Sequence, residues 1–169
     1  MLAKRKVEAR KSESDTMEIP FLETVACGQN RLENGSMAAW ERAYRAHGSG
    51  IRSVKMVQNG IGPEGISILL KKGLKYATGI EVLDLEDNLF RIPGSGALAS
   101  VIQDWKFLRE LGVGDCFLSA RGGMRLAKAL SQGTIKKLKH FACNTMTLRR
   151  KGLSNSYMPH RTRFLPCDE

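Results

Sequence analysis

The sequence lacks the long apolar runs of a membrane protein and the clustered ligands of a metalloprotein. None of its 169 residues lies in an apolar stretch long enough to cross a bilayer. The basic start MLAKRK is not followed by the apolar segment of a secretory signal. The four cysteines form no C-x-x-C pair and no cluster with histidine, so we predict no metal site and no cofactor. We therefore expect an intracellular protein that does not insert into a membrane.

Signatures of catalysis and of nucleic-acid binding are absent as well. The glycine segments GSG at 48–50 and GSGA at 94–97 do not match a phosphate-binding loop, and the three histidines have no evident catalytic partner. The net charge is +10, but the basic residues are spread along the chain with an excess at both ends, and none of the basic runs is interleaved with aromatic residues. We predict that the chain is not an enzyme and has no specific nucleic-acid partner.

What the chain does contain is a repeat. The segment Ile80 to Phe90, IEVLDLEDNLF, matches the leucine-rich-repeat template L-x-x-L-x-L-x-x-N-x-L. Four further copies begin at Leu22, Ile51, Leu108 and Leu138. Successive starts are 29, 29, 28 and 30 residues apart, and the last copy is degraded because Met146 stands in the asparagine place. Even spacing of this kind indicates stacked, equivalent structural units.

Each copy predicts a strand, a turn and a helix. The apolar residues at the fourth and sixth places alternate with polar ones, which predicts a short strand with one buried face. The residue at the ninth place is expected to turn the chain and to bond to backbone groups. These structural turn residues are Asn30, Asn59, Asn88 and Cys116. Helical spacing of apolar residues follows each turn, and Ser36 and Ser119 are expected to cap two of the helices.

The predicted fold is an α/β leucine-rich-repeat solenoid of four to five strand-helix units. It resembles the ribonuclease-inhibitor horseshoe, with strands on the concave side and helices outside. The repeat domain is predicted over residues 18–148, between a disordered tail at 1–17 and an irregular tail at 149–169. Cys27, Cys116 and Cys143 are predicted to be buried, reduced thiols.

The phrases that link the repeat positions carry a more specific resemblance. They are CGQNRLENGSM at 27–37, VKMVQNGIGPEGI at 54–66, LDLEDN at 83–88 and LRELGVGDCFLSARG at 108–122. Together they resemble the central repeats of Ran GTPase-activating proteins, over about residues 22–130. The resemblance implies a regulator of an enzyme, acting on the GTP-bound form of the small GTPase Ran in nucleocytoplasmic transport. It implies a cytoplasmic location, with association with the nuclear envelope as a second expectation.

The resemblance also implies a Ran-binding surface at the strand-to-helix edge. Arg31 matches an arginine of the NRLENG block of the family and is the first contact candidate. Lys55 lies on the second predicted strand between two inward residues and therefore faces the concave side. Gln58 and Glu33 complete the predicted set.

No catalytic residue is predicted. The family carries its catalytic asparagine in an earlier repeat, within a phrase like HNNGLG, and that phrase has no counterpart in this sequence. Asn88 is accordingly expected to be a turn residue. Two alternatives to a GTPase activator remain open, namely a non-catalytic scaffold that binds proteins through its repeats and a truncated fragment that folds poorly.

Overall fold

The protein is described by a computed structural model over residues 22–132 and 135–143. Within these ranges the chain repeats the order strand, turn, helix. The predicted tails at 1–17 and 149–169, together with Met146 of the degraded copy, lie outside the described residues.

The described residues form one parallel sheet. Its strands are β1 Thr24–Ala26, β2 Ser53–Lys55, β3 Val82–Asp84, β4 Glu110–Gly112 and β5 His140–Ala142. They lie side by side in chain order, and each pairs with the next without a shift in register. The strand starts are 29, 29, 28 and 30 residues apart, which is the spacing of the sequence repeat. Every strand therefore occupies the third to fifth places of its template.

Helices fill the intervals between the strands. The α-helices are α1 Met37–His47, α2 Pro63–Ile68, α3 Arg91–Val101 and α4 Ser119–Ser131. The helix α2 continues through a π-helical turn, Leu69–Gly73, into a short 3₁₀ turn, Leu74–Tyr76, and α3 ends in a similar 3₁₀ turn, Ile102–Asp104. A Cβ on Gly73 would lie 3.3 Å from Cα of Glu41, so the π-helical turn brings this segment close to α1.

Ser36 lies at the N-cap position of α1 as predicted, but its side chain makes no capping bond. Its backbone already has helical torsion angles (φ −83°, ψ −14°), and its hydroxyl donates to the carbonyl oxygen of Leu32 at 2.6 Å instead of accepting from α1. Ser119 does bond to its helix, because its hydroxyl accepts from the backbone N–H of Gly122 at 3.4 Å.

The core lies between the sheet and the helices. The apolar template residues of the three central repeats are at most 2% exposed: Ile51, Val54, Met56, Ile61, Ile80, Leu83, Leu85, Phe90, Leu108, Leu111, Val113 and Leu118. Leu69, Leu98 and Trp105 close the core from the helix side. Burial of one such side chain contributes about 1.5–3 kcal/mol, so the repeats are stabilised chiefly by packing against their neighbours.

The described cysteines are free thiols, but they are not buried alike. Cys116 is fully buried, whereas Cys27 and Cys143 are only partly buried. The expectation of full burial was therefore wrong for these two, which belong to the first and last strand units of the described range and have one neighbouring unit within it.

Candidate protein-interaction site

The turn after β3 is organised by the buried side chain of Asn88, which is 1% exposed. Its amide nitrogen donates to the carbonyl oxygens of Met56 (2.8 Å), Leu85 (3.0 Å) and Glu86 (3.2 Å). Its amide oxygen accepts from the backbone N–H groups of Asn59 (3.2 Å) and Ile61 (3.1 Å). One side chain thus bonds to its own turn and to the preceding repeat.

Asn59 repeats this arrangement one unit earlier. Its amide nitrogen donates to the carbonyl oxygens of Cys27 at 2.6 Å and Val57 at 3.1 Å, and its oxygen accepts from the N–H of Asn30 at 3.0 Å. Asn30 is exposed, and its amide donates to the carbonyl oxygen of Gly28 at 2.7 Å. The turns therefore form a ladder in which Asn59 and Asn88 each link their repeat to the one before.

Cys116 occupies the same place after β4. Its single S–H lies within hydrogen-bonding distance of the carbonyl oxygens of Leu85 at 3.2 Å and Gly114 at 3.3 Å, so it keeps the counterparts of two of the three donor contacts of Asn88. Burial raises the pKa of the Cys116 thiol to about 12, against a smaller lowering by the backbone N–H of Asn88. The thiol therefore stays protonated at neutral pH.

A row of exposed polar side chains precedes the ladder. The residues at the eighth place, Gln29, Gln58, Asp87 and Asp115, have positive φ angles of 58°, 53°, 55° and 51°. All four are exposed, and the amides of Gln29 and Gln58 are hydrogen-bonded to each other at 2.9 Å. Non-glycine residues adopt this left-handed conformation at an energetic cost, which the bonded turns offset. Only Gln58 of this row is found by reasoning from the sequence.

The four predicted contact residues are all exposed. Arg31 and Glu33 have φ angles of 49° and 48° and lie after the first turn, where the N–H of Glu33 donates to the carbonyl oxygen of Asn59 at 3.0 Å. Gln58 lies in the next turn, on the same strand-to-helix edge. Lys55 lies further back, at the end of β2, between Ala26 and Asp84 of the neighbouring strands.

Asn34 is a positioning residue at this edge that the sequence did not reveal. Its amide oxygen accepts from the N–H groups of Gly62 at 2.7 Å and Gly65 at 3.2 Å, at the start of α2. Its amide nitrogen approaches the carboxylate of Glu64 at 3.4 Å. Asn34 therefore caps a helix of the following repeat, and a Cβ on Gly65 would overlap its oxygen.

The exposed strand face changes its charge along the sheet. Lys55 lies on β2, whereas Asp84 and Glu86 extend from the third repeat over two glycines of the fourth. A Cβ on Gly112 would lie 2.6 Å from a carboxylate oxygen of Asp84, and one on Gly114 would lie 3.2 Å from Glu86. The acidic side chains therefore occupy space that stays free because residues 112 and 114 are glycines.

No group of three or more His, Cys, Asp or Glu side chains among the described residues is arranged to hold a metal ion. No helix within the described ranges is long and apolar enough to cross a membrane.

The sheet, the helices and the constant spacing define a repeat-like α/β fold with an exposed polar edge at the carboxyl ends of its strands. Repeat proteins of this class use such continuous surfaces to bind other macromolecules.

The chain is 36% identical over 141 residues to Ran GTPase-activating protein 1 of Saccharomyces cerevisiae. The match covers 83% of this chain and 35% of that relative, so the chain spans about a third of the length of the protein it matches. The resemblance to a Ran GTPase-activating protein is thereby confirmed over most of this chain. None of the protein-family models matches the chain.

Proposed function

We propose that this chain is part of a leucine-rich-repeat regulator of the GTPase Ran and that its repeats bind GTP-bound Ran. The observation that carries the proposal is the 36% identity over 83% of the chain to a protein named for activating that GTPase. The chain is then a regulator of an enzyme, in the GTPase-activator class. Its place of action is the cytoplasm, with the nuclear envelope as an alternative, and its process is nucleocytoplasmic transport.

The leucine-rich-repeat solenoid is supported by the geometry of the layers. A helix with its side chains is about 10 Å wide, whereas neighbouring strands are about 4.8 Å apart. A stack with a strand and a helix in each unit must therefore curve, with the strands on the inside. In such a curved stack the exposed face of β2, including Lys55, would lie on the concave side of the horseshoe.

Arg31, Glu33, Lys55 and Gln58 form the proposed Ran-binding surface. All four are exposed. The hydrogen-bonded turns of the first two repeats fix the backbone next to them. A contact confined to these residues is smaller than a standard interface of about 1,600 Å², and its affinity is expected to be modest.

Binding rather than catalysis is the role we assign to these repeats. The amide groups of Asn59 and Asn88 are bonded to backbone groups of the chain, and both side chains are buried. Neither can orient a group of a bound GTPase without opening its turn. We propose Asn30, Asn59, Asn88 and Cys116 as structural turn residues, and none of the described residues is assigned a catalytic role.

The proposal is tested with the full chain and purified Ran. We expect binding to Ran loaded with a non-hydrolysable GTP analogue, and Arg31→Glu should weaken it about tenfold by reversing a contact charge. The matched control is Arg42→Glu on α1, which makes the same charge change on the helix side and should leave the affinity unchanged. Circular dichroism of each variant shows whether it is folded.

Single-turnover GTP hydrolysis with excess chain separates binding from activation. Binding without acceleration supports the assigned role. Faster GTP hydrolysis by Ran would show that these repeats are catalytically competent. That result would contradict our proposal that they bind Ran without activating it. A folded chain that does not bind Ran overturns the proposal and favours a scaffold for another protein, and an unfolded chain favours the fragment.

A further inference from the structure

The loops that lead from each helix to the next strand form the opposite edge of the sheet. Two aromatic rings are exposed there, Tyr76 at 40% and Phe107 at 46%. Tyr76 ends the helical segment before β3, and Phe107 follows the 3₁₀ turn before β4. Because aromatic residues are enriched at protein interfaces, two exposed rings in equivalent loops of consecutive repeats mark a candidate interaction surface.

Cations lie over both rings. The Nζ atom of Lys75 is 4.9 Å from the ring centroid of Tyr76, and the guanidinium of Arg45 is 5.6 Å from the same centroid. The Nζ atom of Lys137 is 4.8 Å from the ring centroid of Phe107. These separations are within the range of a cation–π interaction. Arg45 and Lys137 come from repeats that neighbour those of the rings they contact.

The same loops carry an excess of positive charge. We call Arg45, Lys75, Tyr76, Lys106, Phe107 and Lys137 the aromatic–cation edge, and all six are exposed. The nearby acidic groups offset this charge only in part. Glu41 lies 3.8 Å from Arg45, Glu81 lies 3.4 Å from Arg109 at the strand starts, and Asp104 is exposed in the loop before Phe107.

We propose that the aromatic–cation edge binds an acidic polypeptide segment of a partner protein. Its charge complements carboxylates, and tyrosine and arginine are enriched among the residues that dominate protein interfaces. Single-stranded nucleic acid fits less well, because its bases require free ring faces for stacking and the cations already cover faces of both rings. A segment lying along the edge reaches the cations without displacing them.

This surface is separate from the proposed Ran-binding surface. Because all the strands are parallel, Arg31 and Gln58 lie at their carboxyl ends and the aromatic–cation edge lies at their amino ends. The two edges can therefore be occupied at the same time, and the inference does not depend on Ran binding.

Fluorescence anisotropy of the full chain with a labelled oligoglutamate peptide tests the inference, with a labelled oligouridylate of matched charge as the comparison. Lys75→Glu with Lys137→Glu should weaken peptide binding about tenfold or more, because two contact charges are reversed. Arg121→Glu with Lys128→Glu makes the same charge change on α4 and should alter the affinity less than about twofold.

Tyr76→Leu provides a second, milder variant. It removes the ring but keeps an apolar side chain that packs beside Gly48. The two residues are in close contact, because a Cβ added to Gly48 would lie 2.8 Å from the Cβ of Tyr76. We expect about threefold weaker peptide binding, since the ring holds two of the cations in place. Circular dichroism checks the folding of each variant.

Three results would overturn the inference. One is no peptide binding at about 1 mM, a level at which even weak specific contacts are detected. Another is equal weakening by the two charge-reversal pairs, which indicates attraction by net charge alone. The third is tighter binding of the oligouridylate that is lost in the Lys75→Glu, Lys137→Glu variant, which assigns the edge to nucleic acid.

Discussion

The turns after β3 and β4 have the same place in the repeat but different chemistry. Asn88 is 1% exposed, and its side chain takes part in five described hydrogen bonds, three donated and two accepted. Cys116 is equally buried, and its single S–H lies within hydrogen-bonding distance of two carbonyl oxygens. Both side chains bond to the sixth-place carbonyl of the preceding repeat. The fourth repeat therefore keeps the hydrogen bond that the turn side chain donates to the preceding repeat.

The acceptor half is replaced by backbone only in part, because the backbone N–H of Asn88 still interacts with the sulfur of Cys116. Asn88 accepts from the N–H of Ile61, but the equivalent N–H of Phe90 donates to the backbone oxygen of Cys116 at 3.1 Å. A thiol is a weak donor and a weak acceptor, so the cysteine turn depends more on packing and less on side-chain hydrogen bonds than the asparagine turn. This difference predicts unequal responses to mutation and to pH.

The largest effect is expected for Asn88→Ala. The substitution removes three donated bonds and leaves the N–H groups of Asn59 and Ile61 without their buried acceptor. We expect a loss of about 3 kcal/mol in the free energy of unfolding, because unpaired buried backbone groups keep their full desolvation cost. Urea unfolding followed by circular dichroism measures it. A loss below about 1 kcal/mol would show that the ladder is not a major source of stability.

Alkaline pH should act on the cysteine turn. The pKa of the Cys116 thiol is raised in the folded state to about 12 from an ordinary value of 9.0. Its contribution to stability is therefore present below pH 9 and is lost as pH rises from 9 towards 12, because the unfolded thiol ionises first. We expect the free energy of unfolding to fall by up to about 1.4 kcal/mol per pH unit from this group.

Cys116→Ala is the control for this pH dependence. Burial also raises the pKa of Tyr44, so part of the alkaline loss remains in the variant. The free energy of unfolding is measured with urea from pH 8 to 10.5 for the unsubstituted chain and for Cys116→Ala. The difference between the two pH profiles gives the contribution of the Cys116 thiol. Profiles that stay parallel would contradict the assignment.

At neutral pH, Cys116→Ala should be milder than Asn88→Ala. It removes two weak sulfur contacts and a small volume of buried side chain, for which we expect a loss of about 1 kcal/mol. The urea midpoints of the two variants give the comparison directly. Equal losses would show that the side-chain hydrogen bonds of the asparagine turn add little beyond packing.

Asn30→Ala should have the smallest effect. The side chain is exposed, and its described bond is the one to the carbonyl oxygen of Gly28. Water can replace that bond, so we expect less than about 0.5 kcal/mol. A loss as large as that of Asn88→Ala would indicate a second partner for this turn.

The fold was largely predictable, and the polar contacts were predictable only in part. The spacing of the apolar template residues gave the strands and their order, because alternation and period act within one short segment. The residues of the ladder could be named, but not their bonds to the sixth-place carbonyls. The expected capping bond of Ser36 is absent for a related reason, since a local cap motif does not show which backbone conformation the packed turn adopts.

The sequence by itself determined the period of the repeat, the inward-facing residues and the relationship to Ran GTPase-activating proteins, because these depend on residue order alone. The tertiary structure decided which side chains meet across repeats. Asn34 reaches the start of α2, and Lys137 lies over Phe107, only because stacking brings residues about 30 positions apart into contact. Packing of the hydrophobic core sets that stacking. A sequence pattern shows which residues are buried, but it does not show which residues of adjacent repeats come into contact.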